Sequence, residues 1–177
     1  PVLGTIADYG PAQVTAVRGV LNGTANFILS RMAAEGLDYE HVLAEAQDLG
    51  VAEADPAFDV EGTDAALKCV ILANVLGDGS YTLADAEVSG IVDIPPSALS
   101  LAQEDGRTVR LVGEATPTGI RVGPRLVSMD SPLAVGGTEN IVQLETTHAG
   151  SLALRGRGAG GDETASAVLA DVARLDR

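Results

Sequence analysis

The chain has 177 residues, with 11 lysines and arginines against 25 aspartates and glutamates, a net charge of −14, and 46% hydrophobic residues. That is enough apolar content for one folded domain, and a charge that argues against nucleic acid or an anionic membrane surface as partner. There is no apolar run near the roughly 20 residues of a membrane span, no visible secretory signal and one cysteine, Cys69, so an intrachain disulfide is excluded and a cytoplasmic protein is expected.

Residues 2–9 read as a short helix broken by Gly10-Pro11. Residues 14–21 are β-rich and predict a strand. Asn22-Gly23-Thr24 is a turn in which Thr24 suits a helix N-cap. Residues 25–34 carry Ile28, Leu29 and Met32 at helical spacing and stop at Gly36; residues 38–49 form a second helix that stops at Gly50. Residues 51–62 look irregular and acidic. A long helix over 63–76 ends at Gly77, before a break at Asp78-Gly79-Ser80. Residues 95–105 hold a short helix. Four β-rich runs follow at 108–114, 120–127, 140–147 and 152–155, and an Ala/Val/Leu helix closes the chain over 164–175. Helices first, then strands, then a helix predict an α+β fold, with a mixed, mostly antiparallel sheet covered by helices.

Ten of the eleven basic residues are arginine; Lys68 is the only lysine. Lysine differs from arginine where a compact or tunable ammonium is needed. Asp64 and Lys68 are four apart, on one face of the predicted helix. The rest of that helix is apolar all round, which predicts burial. A buried charge needs a partner, and Asp64 near the helix N-terminus also gains from the macrodipole. This pair is either structural or a site for proton chemistry. The preceding acidic loop adds Glu53, Asp55 and Asp59, which could line a cleft for a cationic amino group. Oxygen ligands alone would suit Mg²⁺ or Ca²⁺, but the spacing does not fit an EF-hand, and no metal site is expected. His41 and His148 are far apart, and Cys69 sits in an apolar run as a core residue, so a zinc site is not expected either.

Gly156-Arg157-Gly158-Ala159-Gly160-Gly161 satisfies G-x-G-x-x-G between a predicted strand and a helix. A dinucleotide fold needs a further strand and an acidic residue about 20 positions on, and too little chain follows. The remaining readings are a tight turn whose backbone approaches a ligand and a plain strand–helix turn.

Three segments carry a resemblance. Gly19-Val20-Leu21-Asn22-Gly23-Thr24-Ala25-Asn26-Phe27-Ile28-Leu29 resembles the G-I-L-N-G-T-x-N-[YF]-I-L segment of homoserine dehydrogenases. Residues 43–68, LAEAQDLGVAEADPAFDVEGTDAALK, resemble that family's A-x-x-x-G-[YF]-x-E-x-D-P-x-x-D-x-x-G-x-D-x-x-x-K motif. Gly158-Ala159-Gly160, with Thr164-Ala165 beyond, resembles its closing G-A-G-x-x-x-T-A.

The resemblance implies reversible oxidation of L-homoserine to L-aspartate 4-semialdehyde with NAD or NADP, in threonine, methionine and isoleucine biosynthesis. It implies Asp64 and Lys68 as catalytic residues, with Glu53, Asp59, Thr24, Gly50, Val51 and Ala52 around the substrate and Gly158 and Ala159 near the nicotinamide. It further implies a homodimer formed through the sheet, and a possible monovalent cation in the full-length protein. Pro1-Val2 resembles the point just after the family's nucleotide-binding domain. Residues 1–162 would then be the substrate-binding, catalytic and dimerisation domain, and residues 163–177 a helix that packs on the nucleotide-binding (Rossmann) domain. The alternative is a binding and dimerisation module without activity of its own. Val51 stands where the family usually has an aromatic. The spread of acids further suggests a salt-adapted source.

Overall fold

A computed structural model describes residues 2–77 and 79–175; of the expected elements, Asp78 in the break after residue 76 and the end of the closing helix beyond 175 lie outside the described residues. The elements run α1 (Val2–Tyr9), β1 (Val14–Val20), α2 (Gly23–Glu35), α3 (Tyr39–Asp48), α4 (Ala57–Val60), α5 (Thr63–Leu76), β2 (Ala86–Val88), α6 (Pro96–Glu104), β3 (Arg107–Thr116), β4 (Gly119–Ser128), β5 (Glu139–Thr146), β6 (Ser151–Arg157) and α7 (Gly161–Leu175). The fold is α+β. Its six-stranded sheet has the order β2-β4-β3-β1-β5-β6 and is antiparallel except where β2 lies parallel to β4.

β1 is the central strand, and its side chains are buried on both faces. On the helix-covered face the core joins Ile28, Leu29 and Met32 of α2, Val42 and Ala46 of α3, and Ala65, Cys69 and Leu72 of α5 to Val17, Leu111, Ala115 and Leu144 of the sheet. On the opposite face Leu133 and Val135, from the segment after β4, cover Val20, Val112, Val127 and Ile141. Small residues let α5 approach β3 closely: a Cβ on Gly113 would stand 2.5 Å from Cys69 Sγ. Burial pushes that thiol up to about 12, so Cys69 is packing rather than a nucleophile.

The structure departs from the sequence reading in four places. Asn22, not Thr24, caps α2: its side chain accepts the Ala25 N–H. The irregular stretch 51–62 contains one helical turn, α4. β2 was not expected. Nor is α5 buried all round, because Leu67 is 38% and Ile71 51% exposed among the described residues. α7 exposes Val168, Leu169 and Val172. Among the described residues no helix is long and apolar enough to cross a membrane.

Candidate active site

The site is built where β1 ends and α2 begins. The chain leaves the sheet at Leu21 and turns into α2 through Asn22, whose extended backbone (φ −123°, ψ 117°) is that of a helix cap. Asn22 is 5% exposed, and both hydrogens of its amide are donated. Its Oδ1 accepts the Ala25 N–H at 2.8 Å, and its Nδ2 donates to Asp59 Oδ1 at 2.6 Å and to Asp64 Oδ2 at 2.9 Å. One amide therefore ties a carboxylate of α4 and a carboxylate of α5 to the start of α2.

Gly62 makes the α4–α5 corner with a positive φ of 88°, and a Cβ there would stand 3.1 Å from Val88 Cγ1 and 3.4 Å from Val122 Cγ1. The next turn places Asp64 in the first turn of α5, where the helix dipole favours a carboxylate. One turn further on, Lys68 Nζ donates to Asp64 Oδ2 at 2.7 Å and to the Leu21 carbonyl at 2.8 Å. The pair is not buried: the Lys68 side chain is 46% exposed and that of Asp64 21%. An ammonium has three hydrogens, and the third has no partner among the described residues. It is available to a ligand.

A cleft of about 490 Å³ opens beside this pair. Asn22, Thr24, Asp59, Asp64 and Lys68 form one wall, and Gly158, Ala159 and Gly160 stand among the lining residues from the β6–α7 turn. Gly50 and Val51 border it as well. The Thr24 hydroxyl donates to the Val51 carbonyl at 3.0 Å, which joins the α2 start to the loop after α3. That loop is shaped by Gly50 (φ 70°) and by the N–H groups of Val51 and Ala52, both donated to the Ala46 carbonyl.

Most of the residues expected at the site therefore meet: Lys68, Asp64, Asp59, Thr24, Gly50, Val51, Gly158 and Ala159 all line one cleft. Ala52 is buried beneath the loop, and Glu53 faces solvent with its backbone carbonyl accepting from Gln47 Nε2. The sequence reading missed Asn22, Thr138, Asn140 and Arg157, which also line the cleft. Asn22 carried a signal, a capping residue type directly before a helix. Asn140 carried none, since β5 brings it here from a distant part of the chain. Among the described residues no group of three or more His, Cys, Asp or Glu side chains could hold a metal ion. Asp59 and Asp64 converge on an amide instead.

The cleft is charged at both signs. Asp59 and Asp64 supply carboxylates, and Lys68 and Arg157 supply cations. Such a lining suits a zwitterion, with the ammonium towards one pole and the carboxylate towards the other. A smaller, mostly apolar cavity of about 330 Å³ shares Lys68, Asn140, Arg157 and Gly158 with this cleft and is otherwise lined by Leu3, Leu21, Ile71 and Leu154 among others.

The α+β fold and its charged cleft are shared with one family, and the chain belongs to it: the homoserine dehydrogenase family. The family model for homoserine dehydrogenase matches residues 1–173. The chain is 47% identical to the homoserine dehydrogenase of Methanocaldococcus jannaschii over 163 residues, covering 92% of this chain and 48% of that protein. A crystal structure from Archaeoglobus fulgidus, assigned to homoserine dehydrogenase, superposes with a TM-score of 0.94 at 49% identity, covering 99% of this chain and 55% of that one. A hyperthermophilic archaeal homoserine dehydrogenase mutant in complex with NADPH superposes with a TM-score of 0.80 at 33% identity, covering 92% of this chain and 47% of that one. The chain spans about half the length of the curated relatives it matches.

Proposed function

We propose that the protein carrying this chain interconverts L-homoserine and L-aspartate 4-semialdehyde with NAD or NADP, and that these residues supply the substrate site and the proton chemistry. One observation carries the reading: the Lys68 ammonium, held at two of its hydrogens by Asp64 and the Leu21 carbonyl, has its third free beside a cleft bordered by a glycine turn.

The turn suits a flat ring. A Cβ on Gly158 would overlap the Asn140 amide and one on Gly160 the Glu163 carboxylate, so both glycines pack tightly onto the protein. Gly158 and Ala159 would hold the nicotinamide end of the cofactor. When bound there, the nicotinamide supplies the hydride acceptor for alcohol oxidation and the hydride donor for the reverse. The chain's own residues handle the rest. In the reducing direction the third Lys68 hydrogen would be donated to the carbonyl oxygen as the hydride arrives, leaving a neutral amine, and in the oxidising direction that neutral amine would take the hydroxyl proton back as the hydride leaves. Asp64 holds the ammonium in that direction, and Asn22 holds Asp64. Asp59 attracts the substrate ammonium, while Arg157 and the start of α2 face the substrate carboxylate.

In cells this reaction would serve threonine, methionine and isoleucine synthesis. A second copy of the chain would pack on the outer face of the sheet, where Arg18 bridges Glu114 and Glu145; the mass in solution tests that. α7 would pack on the nucleotide-binding domain.

The test is homoserine-dependent reduction of NAD⁺ and of NADP⁺ by the full-length protein, beside Lys68→Ala and Asp64→Asn. Removing a positioned proton-handling or oxyanion-stabilising group costs on the order of 10²-fold or more in kcat. Loss of that size in both variants supports the reading. Full turnover in Lys68→Ala refutes it, and a folded parent without turnover on either cofactor leaves the binding-module alternative.

A further inference from the structure

The Leu21 carbonyl is the last backbone acceptor before the Asn22 cap, and it takes two donors. Lys68 Nζ lies 2.8 Å away and Asn140 Nδ2 3.1 Å away. A peptide carbonyl has two lone pairs, so the two donors saturate it. Asn140 stands on β5, opposite Gly156 of β6 and 119 residues from Leu21 in sequence. Its remaining amide atom, Oδ1, is buried and has no hydrogen-bond partner. Folded proteins rarely leave a buried acceptor unsatisfied, and such exceptions collect at functional sites. Gly158 rests so closely on the same amide that a side chain there would overlap it. The Asn140 amide thus touches both the Lys68 anchor and the glycine turn.

We propose that Asn140 is a positioning residue for Lys68. By holding the Leu21 carbonyl from the sheet side, it fixes the direction in which that carbonyl accepts from Nζ, and with it the direction of the free ammonium hydrogen. Asp64 sets one anchor of the ammonium and the Leu21–Asn140 pair sets the other. Without Asn140 the carbonyl keeps one donor and loses its lateral restraint, so the ammonium can swing about Asp64. This inference rests on the role given to Lys68 above.

Lys68 is the chain's only lysine, so lysine labelled with ¹⁵N at the side chain reports one ammonium signal in the 177-residue chain. Asn140→Ala and Asn140→Asp are compared with Asn74→Ala, a control at the far end of α5, where the Asn74 amide bonds to the Tyr81 backbone. Asn140→Asp keeps the shape and removes the donor. The Lys68 signal is expected to shift or broaden in both Asn140 variants and to stay in place in the control. In the full-length protein both Asn140 variants are expected to lose about 10- to 100-fold in kcat, the size of a small misplacement of a catalytic group. KM for homoserine should change less than about twofold, because this restraint acts on the reacting group rather than on substrate binding. An unmoved Lys68 signal, or a kcat unchanged in both Asn140 variants, overturns the inference. If Lys68→Ala is inactive while the Asn140 variants turn over normally, this inference falls alone. If Lys68→Ala is fully active, the functional reading falls and takes this one with it.

Discussion

Asn22 joins the fold to the site, and two substitutions separate its roles. Asn22→Ala removes a helix cap, worth about 1 kcal/mol, and two hydrogen bonds to carboxylates, each about 1.5 kcal/mol at the low end for a charged acceptor. The low end applies because Asp59 and Asp64 face the cleft and can rehydrate. The expected loss is about 4 kcal/mol, against a total stability on the order of 5–15 kcal/mol for a domain. Asn22→Asp keeps the cap, since aspartate caps as well as asparagine, but sets a third carboxylate where the amide now stands 2.6 and 2.9 Å from Asp59 and Asp64. Repulsion between like charges at about 4 Å is about 4 kcal/mol at an effective dielectric of 20. At pH 7 this variant should therefore be the less stable of the two. The new carboxyl would have a folded pKa raised above its unfolded value. Its penalty is full at high pH and shrinks as pH falls through the raised value, by about 1.4 kcal/mol per unit. Between pH 7 and pH 5 Asn22→Asp should thus recover about 2–3 kcal/mol relative to Asn22→Ala, and the two should converge. Urea unfolding followed by circular dichroism at both pH values measures this. A gap between the variants that does not narrow on acidification would refute the bridging role of Asn22.

Gly113→Ala should cost about 1–3 kcal/mol by overpacking, because its Cβ would stand 2.5 Å from Cys69 Sγ and 3.2 Å from Leu21 Cδ1. Adding Cys69→Ala should restore part of that loss, and a strictly additive double variant would contradict the packing argument. Asp38 and Asp85 lie below the ordinary aspartate value because they accept backbone N–H groups, from His41 and Thr82 respectively. A lowered folded pKa gives stability that is present above the unfolded value of about 3.9 and is lost as pH falls through the folded one. Stability of the Asp38→Ala, Asp85→Ala double variant should accordingly fall less steeply than the parent's below about pH 4, and parallel acid profiles would count against both caps.

What was legible in the sequence was local. α5 could be read over its whole length because an apolar run is bracketed by Gly62 and Gly77, and the i,i+4 spacing of Asp64 and Lys68 became a 2.7 Å contact. The strand order was not readable, and neither was β2, whose three residues owe their conformation to pairing with β4. Asn140 reaches the cleft only through the register of β5 between β1 and β6. The expectation of a buried α5 failed for a different reason. An apolar pattern reports which faces avoid water, not which surface covers them, and Leu67 and Ile71 find no cover among the described residues.

α7 sharpens that argument. None of its described side chains is buried, and Val168, Leu169 and Val172 all face water. Its visible support is local or thin. Asp162 and Glu163 sit in the first turn and Arg174 in the last, which complements the helix dipole. The Arg174 guanidinium lies over Gly4 of α1. A helix of this length without a packed face is marginal in water, so in this chain α7 should exchange its amide hydrogens far faster than α5 does. Deleting residues 163–177 from the chain should cost less than about 1 kcal/mol, because little apolar area is uncovered. In the full-length protein Val168→Asp should be far more harmful, at about 2 kcal/mol or more, if α7 buries that face against a nucleotide-binding domain. A deletion that unfolds the isolated chain would mean that α7 belongs to this domain's own core. An unperturbed Val168→Asp full-length protein would leave its apolar stripe without a partner and remove the reason for assigning the helix elsewhere.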